Sequence, residues 1–176
     1  MIHLALTHND LILLAKTINN IAETYFIFGE LKNAIFANTQ LKWLCEITGL
    51  HKYKMYAFLN LAKCCKKLGR LTDSQIFFKK TLQYCWYYKE NDLELDLYEE
   101  LGLIHYNLGN LEKAKKYHDR CLANELESDG SISKQLGIKN IEKLLKESYF
   151  PLKIYEESFF ERFPLLPFDF IRSTST

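Results

Sequence analysis

The chain has few of the residues that interrupt helices, with three prolines and seven glycines among its 176 residues. Such scarcity favours a helical protein with short turns. No apolar run approaches the roughly 18 residues that a membrane-spanning helix needs. The N-terminal stretch lacks a basic start followed by a continuous apolar segment, which argues against a signal peptide. These absences predict a soluble protein without a membrane partner.

An excess of either charge is also missing. The 23 basic and 22 acidic residues leave a net charge of +1, so no global field favours nucleic acid or an acidic membrane. The chain has five cysteines, which is an odd number, and their spacing is not that of a disulfide framework. They predict unpaired, mostly buried thiols in a reducing compartment. We therefore expect a cytoplasmic protein.

Catalytic motifs are absent from the sequence as well. It contains no glycine-rich phosphate loop and no GxSxG or CxxC motif. It also contains no pair of carboxylates that would be expected to line a catalytic cleft together. We predict that the protein is not an enzyme and that it binds no cofactor and no metal.

The chain does contain a repeat with a period of 40 residues, marked by Gly29, Gly69 and Gly109. A large apolar residue precedes each glycine, and a leucine follows two positions after it. Small residues recur seven positions before and five positions after each glycine. These small residues are Ala22, Ala62 and Gly102 before the glycines, and Ala34, Ser74 and Ala114 after them. A fixed period of about 20 to 50 residues indicates stacked supersecondary units.

The apolar positions between the glycines recur with helical spacing, and no segment alternates long enough to predict a strand. We predict an all-α solenoid of helix–turn–helix units. The small residues lie where two helix axes approach within about 8–10 Å. The predicted helix pairs cover 10–49, 50–90 and 91–124.

Three further segments flank the predicted pairs. We expect an N-terminal arm over 1–9, a capping helix over 130–148 and an aromatic-rich C-terminal arm over 149–176. The C-terminal arm contains all three prolines and eight aromatic residues, which is too apolar for a typical disordered tail.

The repeat resembles the tetratricopeptide repeat, and the third unit resembles it best. The residues at that family's signature positions are Tyr98, Leu101, Gly102, Leu108, Gly109, Leu111, Ala114 and Leu122. The usual repeat has about 34 residues, so a period of 40 is similar to that of the long-repeat relatives that act as cytoskeletal adaptors. The resemblance implies a non-catalytic scaffold for protein–protein interaction. It also implies a subunit of a larger cytoskeletal, ciliary or axonemal assembly.

In this family the opening helix of each pair lines a groove that binds a helical or extended segment of another protein. The groove residues that the resemblance implies here are Lys16, Asn19, Glu23, Phe26, Tyr56, Asn60, Lys63, Lys66, Asp96, Glu99 and Tyr106. Charge is sorted along them, because 51–90 contains nine basic and two acidic residues whereas 91–100 contains five acidic and no basic residues. Such sorting would select a ligand of mixed charge.

Relatives that bind the C-terminal carboxylates of heat-shock chaperones use a clamp of lysine, asparagine, asparagine, lysine and arginine. The matching positions here hold Asn19, Glu23, Asn60, Asp96 and Glu100. Only Asn60 agrees, and three of the others are acidic. We therefore predict no chaperone clamp.

A second contact surface is predicted outside the groove. Aromatic residues surround the helix over 72–89, which indicates either packing between neighbouring helices or an outer interface. The residues of the predicted outer surface and arm are Trp86, Tyr87, Phe159, Phe160, Phe163 and Phe168.

Two alternatives from other functional classes stay open. The basic segment 51–90, with interleaved aromatics, would suit a nucleic-acid partner, although the neutral net charge disfavours one. His105, His118 and Cys121 form a conceivable metal corner, but a zinc site generally needs four ligands. Both histidines occupy positions that the other repeats fill with packing residues, so we expect them to pack.

Overall fold

The structure, a computed structural model, describes residues 8–147. Within this range it contains seven helices and no strand, which confirms the prediction of an all-α helical-repeat solenoid. The helices are α1 (His8–Ile27), α2 (Leu31–Thr48), α3 (His51–Lys67), α4 (Leu71–Tyr88), α5 (Asn91–Asn107), α6 (Leu111–Ala123) and α7 (Ile132–Glu147). None of these helices is long and apolar enough to cross a membrane.

The repeated glycines turn the chain between the two helices of each pair. Gly29, Gly69 and Gly109 have φ angles of 79°, 71° and 77°, in the left-handed region that side chains with a Cβ rarely adopt. At Gly69 the helix closes with a Schellman-like pattern, in which the amide of Arg70 donates to the carbonyl of Cys65 at 2.9 Å. The glycine spacing therefore sets where each opening helix ends.

Small residues allow the two helices of a pair to pack closely, as expected. Ala22, Ala34, Ala62 and Ser74 have no exposed surface. The Ser74 hydroxyl donates to the Ala62 carbonyl at 2.8 Å, so the second pair is also linked by a hydrogen bond at its crossing. In the third pair a Cβ on Gly102 would lie 3.3 Å from the Tyr117 Cβ, a tight contact. The pairs α1–α2, α3–α4 and α5–α6 then stack through α2 on α3 and α4 on α5.

The last described helix departs from the stack. We expected a cap on the end of the array, but α7 packs mainly on α4, in the middle of it. The residues that α7 buries are Lys134, Gly137 and Ile141, whereas the apolar Ile132 and Leu136 are exposed. α7 packs through Ile138, Ile141 and Leu145, with Gly137 facing Trp86, and it therefore lies on α4 and not on α6.

Candidate protein-interaction surface

The eleven predicted groove residues lie on the three opening helices, α1, α3 and α5. Those with exposed side chains are Lys16, Glu23, Lys63, Asp96, Glu99 and Tyr106, and those that are half-buried are Asn19, Phe26, Tyr56 and Lys66. Asn60 is buried. We call these eleven residues the opening-helix face.

Polar contacts join the first two opening helices. The Asn60 side-chain amide on α3 donates to Asn19 Oδ1 on α1 at 3.2 Å. The Asn19 amide in turn donates to Glu23 Oε1 at 2.9 Å, one helical turn further along α1. Nearby, the ammonium of Lys67 lies 4.1 Å from the centre of the Phe26 ring, within the range of a cation–π contact. These side chains hold α1 and α3 in a defined register.

An ion pair joins the second and third opening helices. Lys66 Nζ on α3 lies 2.5 Å from Glu100 Oε2 on α5, and both side chains are partly buried. Partial burial reduces solvent screening, so this pair is stronger than one on an open surface. The structure thus brings the opening helices together into one continuous face.

Part of the charge sorting of the sequence is neutralised in the fold. Of the nine basic residues of 51–90, four form ion pairs, and these four are Lys52, Lys54, Lys66 and Arg70. Lys63 on α3 stays exposed, as do Asp96 and Glu99 on α5. What remains on the opening-helix face is a small positive region beside a small negative one.

The predicted outer surface needs a correction. Trp86 is buried, because α7 covers it, and so it is not available on an outer face. Its neighbour Tyr87 is half-buried and packs edge-on against Tyr88, with ring centres 5.0 Å apart. The four arm residues Phe159, Phe160, Phe163 and Phe168 lie outside the described residues.

The two histidines of the conceivable metal corner have different environments. His105 is buried, stacks on Tyr117, and has its Nε2 2.8 Å from the Gln75 side-chain amide. Burial lowers the pKa of His105, and the nearby Lys79 adds to the effect. His118, which we expected to pack, is exposed, since no helix within residues 8–147 stacks on α6 as α5 stacks on α4. Across residues 8–147 no three His, Cys, Asp or Glu side chains form a group able to hold a metal ion.

The adjacent thiols on α3 are not activated by their lysine neighbours. Cys64 is buried, and burial raises the pKa of its thiol to about 11, with Lys67 opposing the shift only weakly. Burial likewise raises the pKa of Cys65. Both thiols are therefore protonated at neutral pH and serve as packing groups.

A buried carboxylate was missed by the sequence analysis. Glu94 on α5 accepts hydrogen bonds from the Tyr98 hydroxyl and, at 2.8 Å, from the backbone amide of Glu127. Arg120 on α6 pairs with the Glu127 carboxylate, and this bond lowers the pKa of Glu127. The only sequence signal was that Glu94 and Tyr98 are four residues apart on one helix, a spacing that is common on solvated surfaces.

The architecture defines the class of protein as an all-α array of stacked helix pairs. The family profile of the tetratricopeptide repeat matches residues 95–125, which cover most of α5 together with α6. This match coincides with the unit that carries the fullest set of signature residues. A comparison with curated proteins finds no match to the chain.

Proposed function

We propose that the protein is a non-catalytic adaptor whose opening-helix face binds a helical or extended segment of another protein. The observation that carries this proposal is the joining of α1, α3 and α5 into one face by the Asn60–Asn19 and Lys66–Glu100 contacts. Rigid neighbouring helices hold the exposed groups on this face in fixed positions, which lowers the entropic cost of binding.

The ligand that suits this face has both acidic and basic groups. Lys63 offers a cation on α3, while Asp96 and Glu99 offer anions on α5. Tyr106, near the end of α5, adds an exposed aromatic ring of the kind that anchors interfaces. A segment with an acidic group facing α3 and a basic group facing α5 has the complementary arrangement.

The proposal also includes a cellular setting. The 40-residue period and the resemblance of the third unit support a cytoplasmic subunit of a cytoskeletal or ciliary assembly. A nucleic-acid role is less well supported, because acidic residues pair with four of the nine basic residues in 51–90.

The test is proximity cross-linking with mass spectrometry in native extract, using two matched charge-reversal variants. One variant carries Lys63→Glu and Asp96→Lys on the opening-helix face. The control carries Lys139→Glu and Glu142→Lys at exposed positions of α7. We expect a set of cross-linked proteins that the wild type and the control share and that the first variant loses.

Retention of the same proteins by both variants would overturn the opening-helix face as the binding surface. Binding of the purified chain to RNA or DNA that weakens steeply with salt would instead support the nucleic-acid alternative.

A further inference from the structure

No element within residues 8–147 covers the outward side of the last helix pair. His118 and Leu122 on α6 are exposed, whereas the residues 40 positions earlier, Phe78 and Leu82 on α4, are buried. The exposed fraction is 5% for Leu82 and 73% for Leu122. The difference lies in the neighbours, because α5 and α7 both pack on α4, whereas the main packing partner of α6 within residues 8–147 is α5.

Specific contacts direct the chain away from this open side. The Glu127 amide is tied to Glu94 on α5, and the Glu127 carboxylate is tied to Arg120 on α6. Lys134, at the start of α7, binds the Glu127 carbonyl at 2.9 Å. The chain then passes to α4, where Gly137 meets Trp86. Within the described residues, no helix therefore covers α6 in the way that α5 covers α4.

The opposite end of the array is likewise uncovered by any element of the described part of the chain. Leu13 on α1 is 63% exposed, and Thr17 one turn later is exposed as well. The residue 40 positions after Thr17 is Ala57, which is completely buried because α3 packs on α2. Helix α1 thus exposes to solvent the side through which α3 and α5 pack on the preceding helix pair.

The contacts between neighbouring helix pairs indicate which side chains would face each other if a further unit stacked on the array. Phe26 of the first pair contacts Lys67 of the second. In the 40-residue register, Tyr106 of the third pair occupies the position of Phe26, and Ile27 occupies the position of Lys67. Tyr106 is 66% exposed and Ile27 is 78% exposed. A second copy stacked in register would place these two apolar side chains together.

A second contact between neighbouring pairs also has a chemically complementary equivalent at the junction between two copies. Within the chain, Asn19 accepts a hydrogen bond from Asn60 of the next pair. The equivalents at a junction between copies are Glu99 at the end of one array and Asn20 at the start of the next, and both are exposed. The amide of Asn20 is a suitable donor for the Glu99 carboxylate.

We propose that the open side of α5–α6 in one copy binds the open side of α1 in a second copy, so that copies stack head to tail. Helix-repeat units bury a continuous core only by stacking, and uncovered ends leave apolar surface in water. The junction pairs one face with a different face, so it does not close on itself, and further copies can add. The junction uses Glu99 and Tyr106 at the end of the opening-helix face, together with residues at the open end of α1 that lie outside that face.

The test measures sedimentation of the full chain over a wide concentration range. The wild type is expected to rise in mass with concentration above the 20.8 kDa monomer. Leu122→Arg blocks one end and Leu13→Arg blocks the other, and both positions are exposed, so neither change disturbs the core. Each variant alone is expected to associate at least about tenfold more weakly, because a desolvated cation opposes the junction.

Mixing the two variants gives the decisive measurement. Each retains one intact end, so the equimolar mixture is expected to form a complex of twice the monomer mass that stops growing. The control is Ile132→Arg with Leu136→Arg, which removes two exposed apolar residues of α7 without touching either end. This control is expected to associate like the wild type.

Three results would overturn head-to-tail stacking. The first is a wild type that stays monomeric at every concentration, as expected if the segment 148–176 of the same chain covers the open end. The second is unchanged association of either single-end variant. The third is a mixture of the variants that forms no complex.

Discussion

The ring of Trp86 on α4 occupies the space beside Gly137 on α7 so closely that a Cβ on residue 137 would lie 2.7 Å from Trp86 Cε3. Real Cβ atoms do not approach a ring carbon to this distance, so only glycine permits the contact as it stands. The pair places α7 against the middle of the array, so that α7 does not cover α6.

Gly137→Ala is therefore expected to destabilise the protein, although the same change in an exposed helix would stabilise it by roughly 1 kcal/mol. Overpacking against Trp86 should lower the free energy of unfolding by about 1–3 kcal/mol. Urea denaturation followed by tryptophan fluorescence measures the effect. Leu136→Ala, at the exposed neighbouring position, serves as the control and should change stability by less than about 1 kcal/mol. Equal stability of Gly137→Ala and the wild type would show that α7 does not dock as described.

The buried carboxylate of Glu94 gives a second prediction. Glu94→Ala leaves the Tyr98 hydroxyl and the Glu127 amide without their acceptor, which should cost about 1–3 kcal/mol of stability. The local readout is hydrogen exchange at the Glu127 amide, which should become faster. Glu94→Gln keeps an acceptor oxygen in place and should restore most of the protection. Unaltered exchange at Glu127 in the alanine variant would contradict the tether.

The buried His51 predicts a dependence of stability on pH. Both of its ring nitrogens are buried without a hydrogen-bond partner, and burial lowers its pKa below the ordinary 6.5, with Lys54 adding to the effect. The unfolded chain therefore binds a proton at a pH where the folded chain does not. The stability that neutral His51 contributes is complete above about pH 6.5 and is lost as the pH falls toward the folded-state pKa.

His51→Leu should remove this part of the acid sensitivity and should leave stability at pH 7 unchanged or higher, since it eliminates two unpaired buried atoms. Thermal melting between pH 7.5 and about pH 5 measures the difference. His118→Gln, at an exposed site, is the control and should keep the wild-type dependence. The prediction fails if the His51→Leu and wild-type curves fall in parallel.

The opening-helix face predicts no affinity for the C-terminal peptides of heat-shock chaperones. Asp96 and Glu100 occupy clamp positions where a cation would be needed, and Asp96 is exposed. Glu100 is already bound by Lys66. Calorimetric titration with a free chaperone C-terminal peptide should give no measurable heat of binding, and a salt-sensitive saturable signal would contradict the assignment.

Local features of the sequence were sufficient to predict much of the stack. The turn at Gly69 and the small residues Ala62 and Ser74 act through backbone conformation and contacts within one helix pair. Such features recur every 40 residues, and repetition makes each of them recognisable. The groove residues were assigned to the opening helices by the same register, and the structure describes all of them on α1, α3 and α5.

Other features could not be predicted because they join residues distant in the sequence. Trp86 was assigned to an outer surface, since nothing in its own helix indicates that Gly137 will cover it. His118 was expected to pack by analogy with Phe78, but its burial depends on a next pair, and residues 8–147 contain none after α6. The Lys66–Glu100 pair neutralises charges that the linear sequence presents as separate blocks.

The sequence by itself determined the class of this protein, its repeat length and the places where the chain turns between the two helices of a pair. Helical periodicity and glycine turns are local properties of the chain. Only the tertiary structure decided where α7 docks, which charges remain exposed on the opening-helix face, and which ends of the array stay open. These outcomes depend on shape and charge complementarity between elements that meet only after folding.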